Sequence, residues 1–191
     1  MNDSLPILIT GADGFTGKYV CKALIKRGIL IKASLRPKNN NRWFKKRKIK
    51  TVYADLQKKD DLIKALLGCK ALINVASIGF GNAPLIIEAC KKAKIDRVLF
   101  ISSTSIFTSL NAKSKKIRLQ AENNIIKSKL RWTILRPTMI YGDNKDRNMI
   151  KLIKFIDKFN FFPIFGSGNF LMQPIHVRDL SWAIAEIISN K

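Results

Sequence analysis

Short apolar runs alternate with segments of helical period along most of the chain, and that alternation leaves few architectures open. Leu5–Thr10, Ile29–Leu35, Thr51–Ala54, Ala71–Val75, Arg97–Ser102 and Arg131–Leu135 read as strands. Between them lie helical patterns at Phe15–Lys26 (closed by Gly28), Gln57–Leu67 (closed by Gly68), Ala83–Ala93 and Ile117–Ser128. The strands are apolar without a break, as strands buried on both faces are, so the sheet is expected to be parallel with helices on both sides. A helix near Arg147–Phe159, a Phe-rich irregular stretch, a short extended piece at Gln173–Val177 and a last helix at Val177–Ile188 follow. The basic piece KNNNRWFKKRKIK reads as a polar loop or frayed helix. With 191 residues the chain is long enough for one core and too short for a second full domain, so residues 1–191 are expected to form a single α/β domain.

Between the first strand and the first helix stands Thr10-Gly11-Ala12-Asp13-Gly14-Phe15-Thr16-Gly17, a G-x-x-G-x-x-G turn. Glycines there allow a tight turn and a close approach of backbone to a pyrophosphate, whose charge rests on the free N–H groups opening the helix. The strand–turn–helix context makes this the dinucleotide fingerprint of a Rossmann-type, doubly wound sheet. The second strand ends in Ser34-Leu35-Arg36-Pro37, with no acidic residue to hold a ribose 2′-hydroxyl. Arg36, helped by Lys38 or Arg42, suits a 2′-phosphate, so NADP(H) is the preferred cofactor and NAD(H) the alternative.

The chain carries 36 Lys+Arg against 13 Asp+Glu, a formal net charge of +23. Such an excess invites nucleic acid, an anionic membrane surface, or a compositional bias toward Lys. The charges spread over nearly every helix, which favours bias and disfavours nucleic acid; Arg36–Lys50 and Lys113–Arg118 are the two clusters. Cys21, Cys69 and Cys90 are scattered and His176 is the lone histidine, so neither a disulfide framework nor a metal site is expected. MNDSLPILITG lacks the basic start of a signal peptide, and the uncharged stretch Ala71–Ile87 is interrupted by Asn, Gly and Pro. No transmembrane segment is expected, and a cytoplasmic location is the simplest reading.

The motifs together resemble the short-chain dehydrogenase/reductases, most closely the atypical or extended branch of NAD-dependent epimerase/dehydratase type. The resemblance rests on TGADGFTG, Asp55-Leu56, Asn74-Val75-Ala76-Ser77, Ile101-Ser102-Ser103-Thr104, the LRPTMIYG run Leu135–Gly142 and the QPIHVRDL run Gln173–Leu180, and it spans residues 5 to 188. It implies that Gly11, Gly14, Phe15 and Gly17, with Asp13 and Thr16 in the same turn, cradle the pyrophosphate. Asp55 and Leu56 would meet the adenine, and Val75, Ala76 and Ser77 would run along the cofactor. Ser102 and Ser103 would lie near the nicotinamide, with Pro137 and Met139 or Ile140 facing it from the sixth strand. Asp179 would stand at the start of the last helix, where a carboxylate caps free N–H groups.

One departure is chemical. The family's acid/base pair is Tyr-x-x-x-Lys, and the matching positions here hold Ser114 and Arg118. An arginine stays charged and does not titrate as a partner. Ser103, Thr104 and Tyr141, and beside them Lys115 and Lys116, are the substitute donors. A small-molecule substrate is expected, a nucleotide-sugar or another carbonyl or hydroxyl compound; Lys115, Lys116, Arg118 and Arg136 would suit an anionic one. The second class of function is a cofactor-binding sensor or assembly module without turnover. The other departure is size, since only about residues 142–175 remain for the substrate side. In that segment Met149, Leu152, Ile153, Ile156 and Phe159 form a helical stripe expected to pack on the core. Phe159, Phe161, Phe162, Phe165 and Phe170 could line an apolar pocket, a dimer contact or a membrane-surface patch, of which a pocket lid or a partner contact such as a homo-oligomer is favoured.

Overall fold

The computed structural model describes residues 4–36, 41–109, 111–146, 149–162, 164, 166–169 and 171–190. Six strands, β1 (Ile7–Thr10), β2 (Ile31–Leu35), β3 (Lys50–Tyr53), β4 (Ala71–Asn74), β5 (Arg97–Ile101) and β6 (Arg131–Leu135), form one sheet in the order β3-β2-β1-β4-β5-β6. Every pairing in it is parallel. The order runs outward in both directions from β1 and β4, so a crevice opens at their carboxyl ends, where α/β sheets of this kind bind ligands. The doubly wound fold read from the sequence is the one observed.

Side-chain alternation along β1 divides the core in two. Ile7 and Ile9 face α1 (Phe15–Lys26) and α7 (Val177–Ser189), while Leu8 faces α3 (Lys59–Leu66), α4 (Ala83–Lys92) and α5 (Lys113–Ile126). Gly28, at φ +71°, closes α1 in the left-handed region that glycine adopts without cost. The three cysteines are buried and unpaired, two under the α3–α4 layer and one under α1. Burial pushes the Cys21 and Cys90 thiols up to about 12, so they behave as small apolar groups.

The loop-or-frayed-helix reading resolves to a helix, and two other expectations are corrected. The basic stretch after β2 contains a short helix, α2 (Arg42–Lys45), whose Phe44 is fully buried in the α1/α7 half of the core and whose Trp43 packs beside it. Two aromatics anchor what the surrounding charges made look like a loop. Phe44→Ala is expected to cost about 3–5 kcal/mol in chemical denaturation, and a loss under 1 kcal/mol would contradict this anchoring. The helix α6 (Met149–Phe159) exists, but none of its residues is buried, so its apolar stripe is not core packing. The cap of α7 is the His176 ring, whose Nδ1 accepts from the Arg178 N–H at 3.2 Å; Asp179 lies in the first turn, where its charge meets the positive helix end. A second, two-stranded parallel sheet, β7 (Ile140–Tyr141) with β8 (Ile175–His176), returns the chain to α7.

Candidate dinucleotide and substrate cleft

A cleft of about 1500 Å³ opens over the carboxyl ends of the strands, larger than the roughly 300–1,000 Å³ of most small-ligand sites. Its floor is the glycine turn. Gly11 has φ +63°, and a Cβ there would come 2.9 Å from the Ala76 nitrogen. A Cβ on Gly17 would lie 2.0 Å from the Gly11 carbonyl oxygen. The turn is thus pressed against both the end of β4 and the first turn of α1. A fully buried pair locks it there: Thr10 Oγ1 donates to Asn74 Oδ1 at 2.7 Å, and Asn74 Nδ2 donates to the Ala76 carbonyl at 2.8 Å. Gly14 caps α1 without any side-chain bond, and no acidic residue stands in its first turn. The N-terminal amides of α1 therefore keep their capacity for an anion.

One wall carries Arg36 and Asp55-Leu56 from the ends of β2 and β3, with Gln57 beyond. Arg36 Nε lies 3.9 Å from Asp13 Oδ2, and the Arg36 side chain is 76% exposed, so the contact leaves the guanidinium able to turn to a phosphate. Lys38 lies outside the described residues, and Arg42 does not reach the cleft. Opposite, Val75, Ala76 and Ser77 line the cleft from the end of β4, followed by Phe80 and Asn82. Asn82 is buried and its Oδ1 has no hydrogen-bond partner. A buried orphan acceptor facing a cleft is costly unless a donor arrives there.

The far end is built from the tips of β5 and β6. Ser102, Ser103 and Thr104 line it with Pro137, Met139 and Ile140, and Lys145 and Asp146 close it. Backbone bonds from Ser102 N to the Leu135 carbonyl and Thr104 N to the Pro137 carbonyl tie the two tips together. Ser103 Oγ accepts from the Ser105 N–H at 3.1 Å, an arrangement that leaves its own O–H as a donor. Thr104 Oγ1 instead donates to the Pro137 carbonyl at 3.4 Å. Behind them, Glu122 is enclosed and grips Arg136 at 2.7 Å through Oε2 and 3.1 Å from Nε to both oxygens. Burial tends to raise the Glu122 pKa, but the Arg136 bonds, with the nearby Ser102 hydroxyl, outweigh it and hold the carboxyl below its usual value. Ser102 Oγ itself makes no hydrogen bond of ordinary geometry.

Apart from the helpers Lys38 and Arg42, every residue expected to bind cofactor lines this one cleft, as do Ser103 and Thr104. Tyr141 does not: its ring packs edge-on against His176 at 5.1 Å, away from the lining residues. Ser114 and Arg118 sit one turn apart on α5, Arg118 lying over Gly79, and neither lines the cleft. Nor do Lys115, Lys116 or Arg136; Lys115 donates to the Thr108 carbonyl and Arg136 is held by Glu122. Unforeseen in the sequence are Asn82, Lys145 and Asp146, and two aromatic walls, Phe80 and Phe107, each more than two-thirds exposed. Tyr19 was missed too; its O–H donates to Asp143 at 3.0 Å, and burial followed by that carboxylate raises its pKa.

The glycine cradle, the open helix terminus and the orphan acceptor suit a dinucleotide, and comparisons with known proteins agree. The sequence model of the family described as NAD(P)H-binding matches residues 11–160. A mitochondrial NADH dehydrogenase [ubiquinone] 1 alpha subcomplex subunit 9 from Arabidopsis thaliana is 25% identical over 95% of this chain and 50% of its own length. A decarboxylating sterol-4-alpha-carboxylate 3-dehydrogenase from Dictyostelium discoideum is 22% identical over 93% of this chain and 66% of its own. The chain thus spans about half to two-thirds of these relatives. A wide-type short-chain dehydrogenase/reductase from Veillonella parvula, solved with NADP, superposes with a TM-score of 0.74 at 18% identity, over 97% of this chain and 88% of that one. From its fold, its glycine cradle and the family match over residues 11–160, the chain belongs to the NAD(P)H-binding family.

Proposed function

We propose that the protein is an NADP(H)-dependent oxidoreductase or epimerase-like enzyme acting on a small carbonyl or hydroxyl substrate. The observation that carries this reading is the continuity of the cleft. A phosphate cradle with Arg36 at one end runs unbroken to a hydroxyl-bearing, partly aromatic chamber at the other. When bound, the cofactor supplies or accepts hydride. This chain's residues hold the pyrophosphate on the α1 amides, select the 2′-phosphate through Arg36 and place Ser103 beside the reacting oxygen. Ser103 is the proton donor or acceptor we favour, because its oxygen is held by the Ser105 N–H while its proton stays available. The chamber is walled by Phe80, Phe107 and Met139; of the cations first matched to an anionic substrate, Lys115 and Arg136 are engaged elsewhere, and Lys116 and Arg118 do not line it. An uncharged carbonyl compound therefore fits better than a nucleotide-sugar. A reducing compartment, the cytoplasm, suits three unpaired thiols.

Cofactor titration tests the clamp. Arg36→Ala is expected to weaken NADPH about 10- to 100-fold and leave NADH nearly unchanged, as for loss of one charge-assisted bond of roughly 1.5–3 kcal/mol. Equal affinity of the unaltered protein for the two nucleotides would remove the 2′-phosphate from the reading. In the same assay Ser103→Ala should lower kcat about 100-fold without changing NADPH affinity. The second reading, a cofactor-binding module without turnover, is favoured by the absence of Ser114, Arg118 and Tyr141 from the cleft and by the likeness to a subunit of NADH dehydrogenase. It predicts tight NADPH binding and no nicotinamide oxidation with any carbonyl panel.

A further inference from the structure

The helix α6 presents an apolar face that the described protein covers only in part: Met149, Leu152 and Ile156 are half-buried, with α6 against β7, while Ile153, Phe155 and Phe159 are exposed. At 100° per residue, Met149, Leu152, Ile153, Phe155, Ile156 and Phe159 fall on one arc, and Lys151, Lys154 and Lys158 fall on the opposite side. Asp157 is the sole acidic residue in the helix. The apolar arc continues into the chain beyond it: Phe155 meets Phe159 at 4.9 Å and Phe161 at 6.4 Å between ring centres. Phe159, Phe161, Phe162, Ile164, Leu171 and Met172 are each more than half exposed. Phe165 and Phe170, from the same expected cluster, lie outside the described residues. The three rings in mutual reach are more than the scattered single exposure that ordinary surfaces tolerate.

Charge decides among the occupants. A second copy would bring another net +23 to a face already edged with three lysines. Nucleic acid would match the lysines and waste the phenylalanines. A broad apolar arc rich in Phe, set against a lysine face, is the pattern of a helix that lies in the plane of a membrane surface. We propose that α6 and the apolar residues following it dock on an anionic lipid bilayer, the exposed rings of Phe155, Phe159 and Phe161 sunk among the acyl chains and Lys151, Lys154 and Lys158 at the headgroups. The dock adjoins the chemical site, because Asp146 lines the cleft and its Oδ2 also accepts from the Ile150 N–H at 3.0 Å, at the start of α6. The substrate end of the cleft would then open beside the lipid.

Flotation with vesicles tests this on the full chain, using phosphatidylcholine alone and phosphatidylcholine with phosphatidylserine in about a 2:1 ratio. Binding is expected to the mixed vesicles and to be at least about tenfold weaker to the neutral ones. Because the chain is basic everywhere, the decisive arm keeps the charge fixed. Phe155→Ser with Phe159→Ser should weaken binding to mixed vesicles about tenfold or more, while NADPH affinity and melting stay as before, since no α6 residue is buried. Lys151→Ala with Lys154→Ala should weaken it about 30-fold. Unchanged binding in the serine variant would overturn the proposal, as would equal binding to both vesicle types. Absence of vesicle binding together with a dimer that the serine variant abolishes would assign the face to a second copy instead.

Discussion

Gly17→Ala is expected to lose cofactor binding by 100-fold or more and to lower the melting temperature by about 6–12 °C. The added Cβ would lie 2.0 Å from the Gly11 carbonyl oxygen and 2.8 Å from Ala12 Cα, all rigid backbone. No side chain can yield there, so α1 must lift from the turn. Val20, Cys21 and Leu24 on that helix are fully buried, and lifting it loosens their packing. Overpacking of this kind costs about 3 kcal/mol, and each kcal/mol is worth roughly 2–4 °C at this chain length. The α1 amides would move with it, away from the pyrophosphate. Gly28→Ala is the control: its φ is +71° but nothing lies within 4 Å of the new Cβ. It should cost about 1 kcal/mol of backbone strain and leave NADPH affinity intact. Gly17→Ala with normal melting and normal binding would contradict the close contact.

Arg136→Met should be the other large loss. It strips the partner from Glu122, whose side chain is only 4% exposed, and leaves a carboxylate enclosed beside Ser102. Removing one partner of a buried pair costs about 3–5 kcal/mol; Arg136 is 40% exposed, which brings the expectation to about 2–4 kcal/mol. The pH dependence carries a definite sign. Glu122 has a folded pKa below its unfolded one, so the pair's contribution is fully present above the unfolded value and disappears as pH falls through the folded value. In Arg136→Met only the Ser102 hydroxyl still opposes the burial effect and the Glu122 pKa rises, so protonation now favours the folded state. The stability gap between the two proteins should therefore be widest near neutral pH and shrink on acidification from pH ~6 to ~4. Adding Glu122→Gln should recover much of the loss at neutral pH. Urea melts at several pH values decide it, and a gap that widens in acid would remove the buried-pair account.

Much of this was legible in the sequence because it is local. The continuous apolar runs announce a parallel sheet, and the turn Gly11–Gly17 announces its own conformation and the helix that follows. What stayed hidden depends on residues far apart in the chain. Nothing near Glu122 shows that Arg136 will meet it, and nothing near Thr10 shows that Asn74 will lock it. Phe44 was concealed by its lysine neighbours, although an aromatic pair inside a basic run was the available signal. The α6 stripe misled in the opposite direction. Helical periodicity reports that a face is apolar and says nothing of what it faces, and here the described protein covers it only in part. Tyr141 lay in the right loop, but its side chain turns to His176.

The packing of α7 against α1 has a consequence for how the molecule comes to exist. The core half beneath α3, α4 and α5 is assembled from neighbours in sequence and can close as each βα unit emerges. The half beneath α1 is roofed by Leu180, Ile184, Ala185 and Ile188, made long after the strand they cover. Arg27 reaches Glu186 at 2.6 Å, and Arg97 holds the Ile187 carbonyl at 2.8 Å, only once α7 has arrived. During synthesis that side of the sheet is covered only by α1 and Phe44 until α7 has left the ribosome. A nascent-chain chaperone would then find its apolar surface where Leu180, Ile184, Ala185 and Ile188 are to pack.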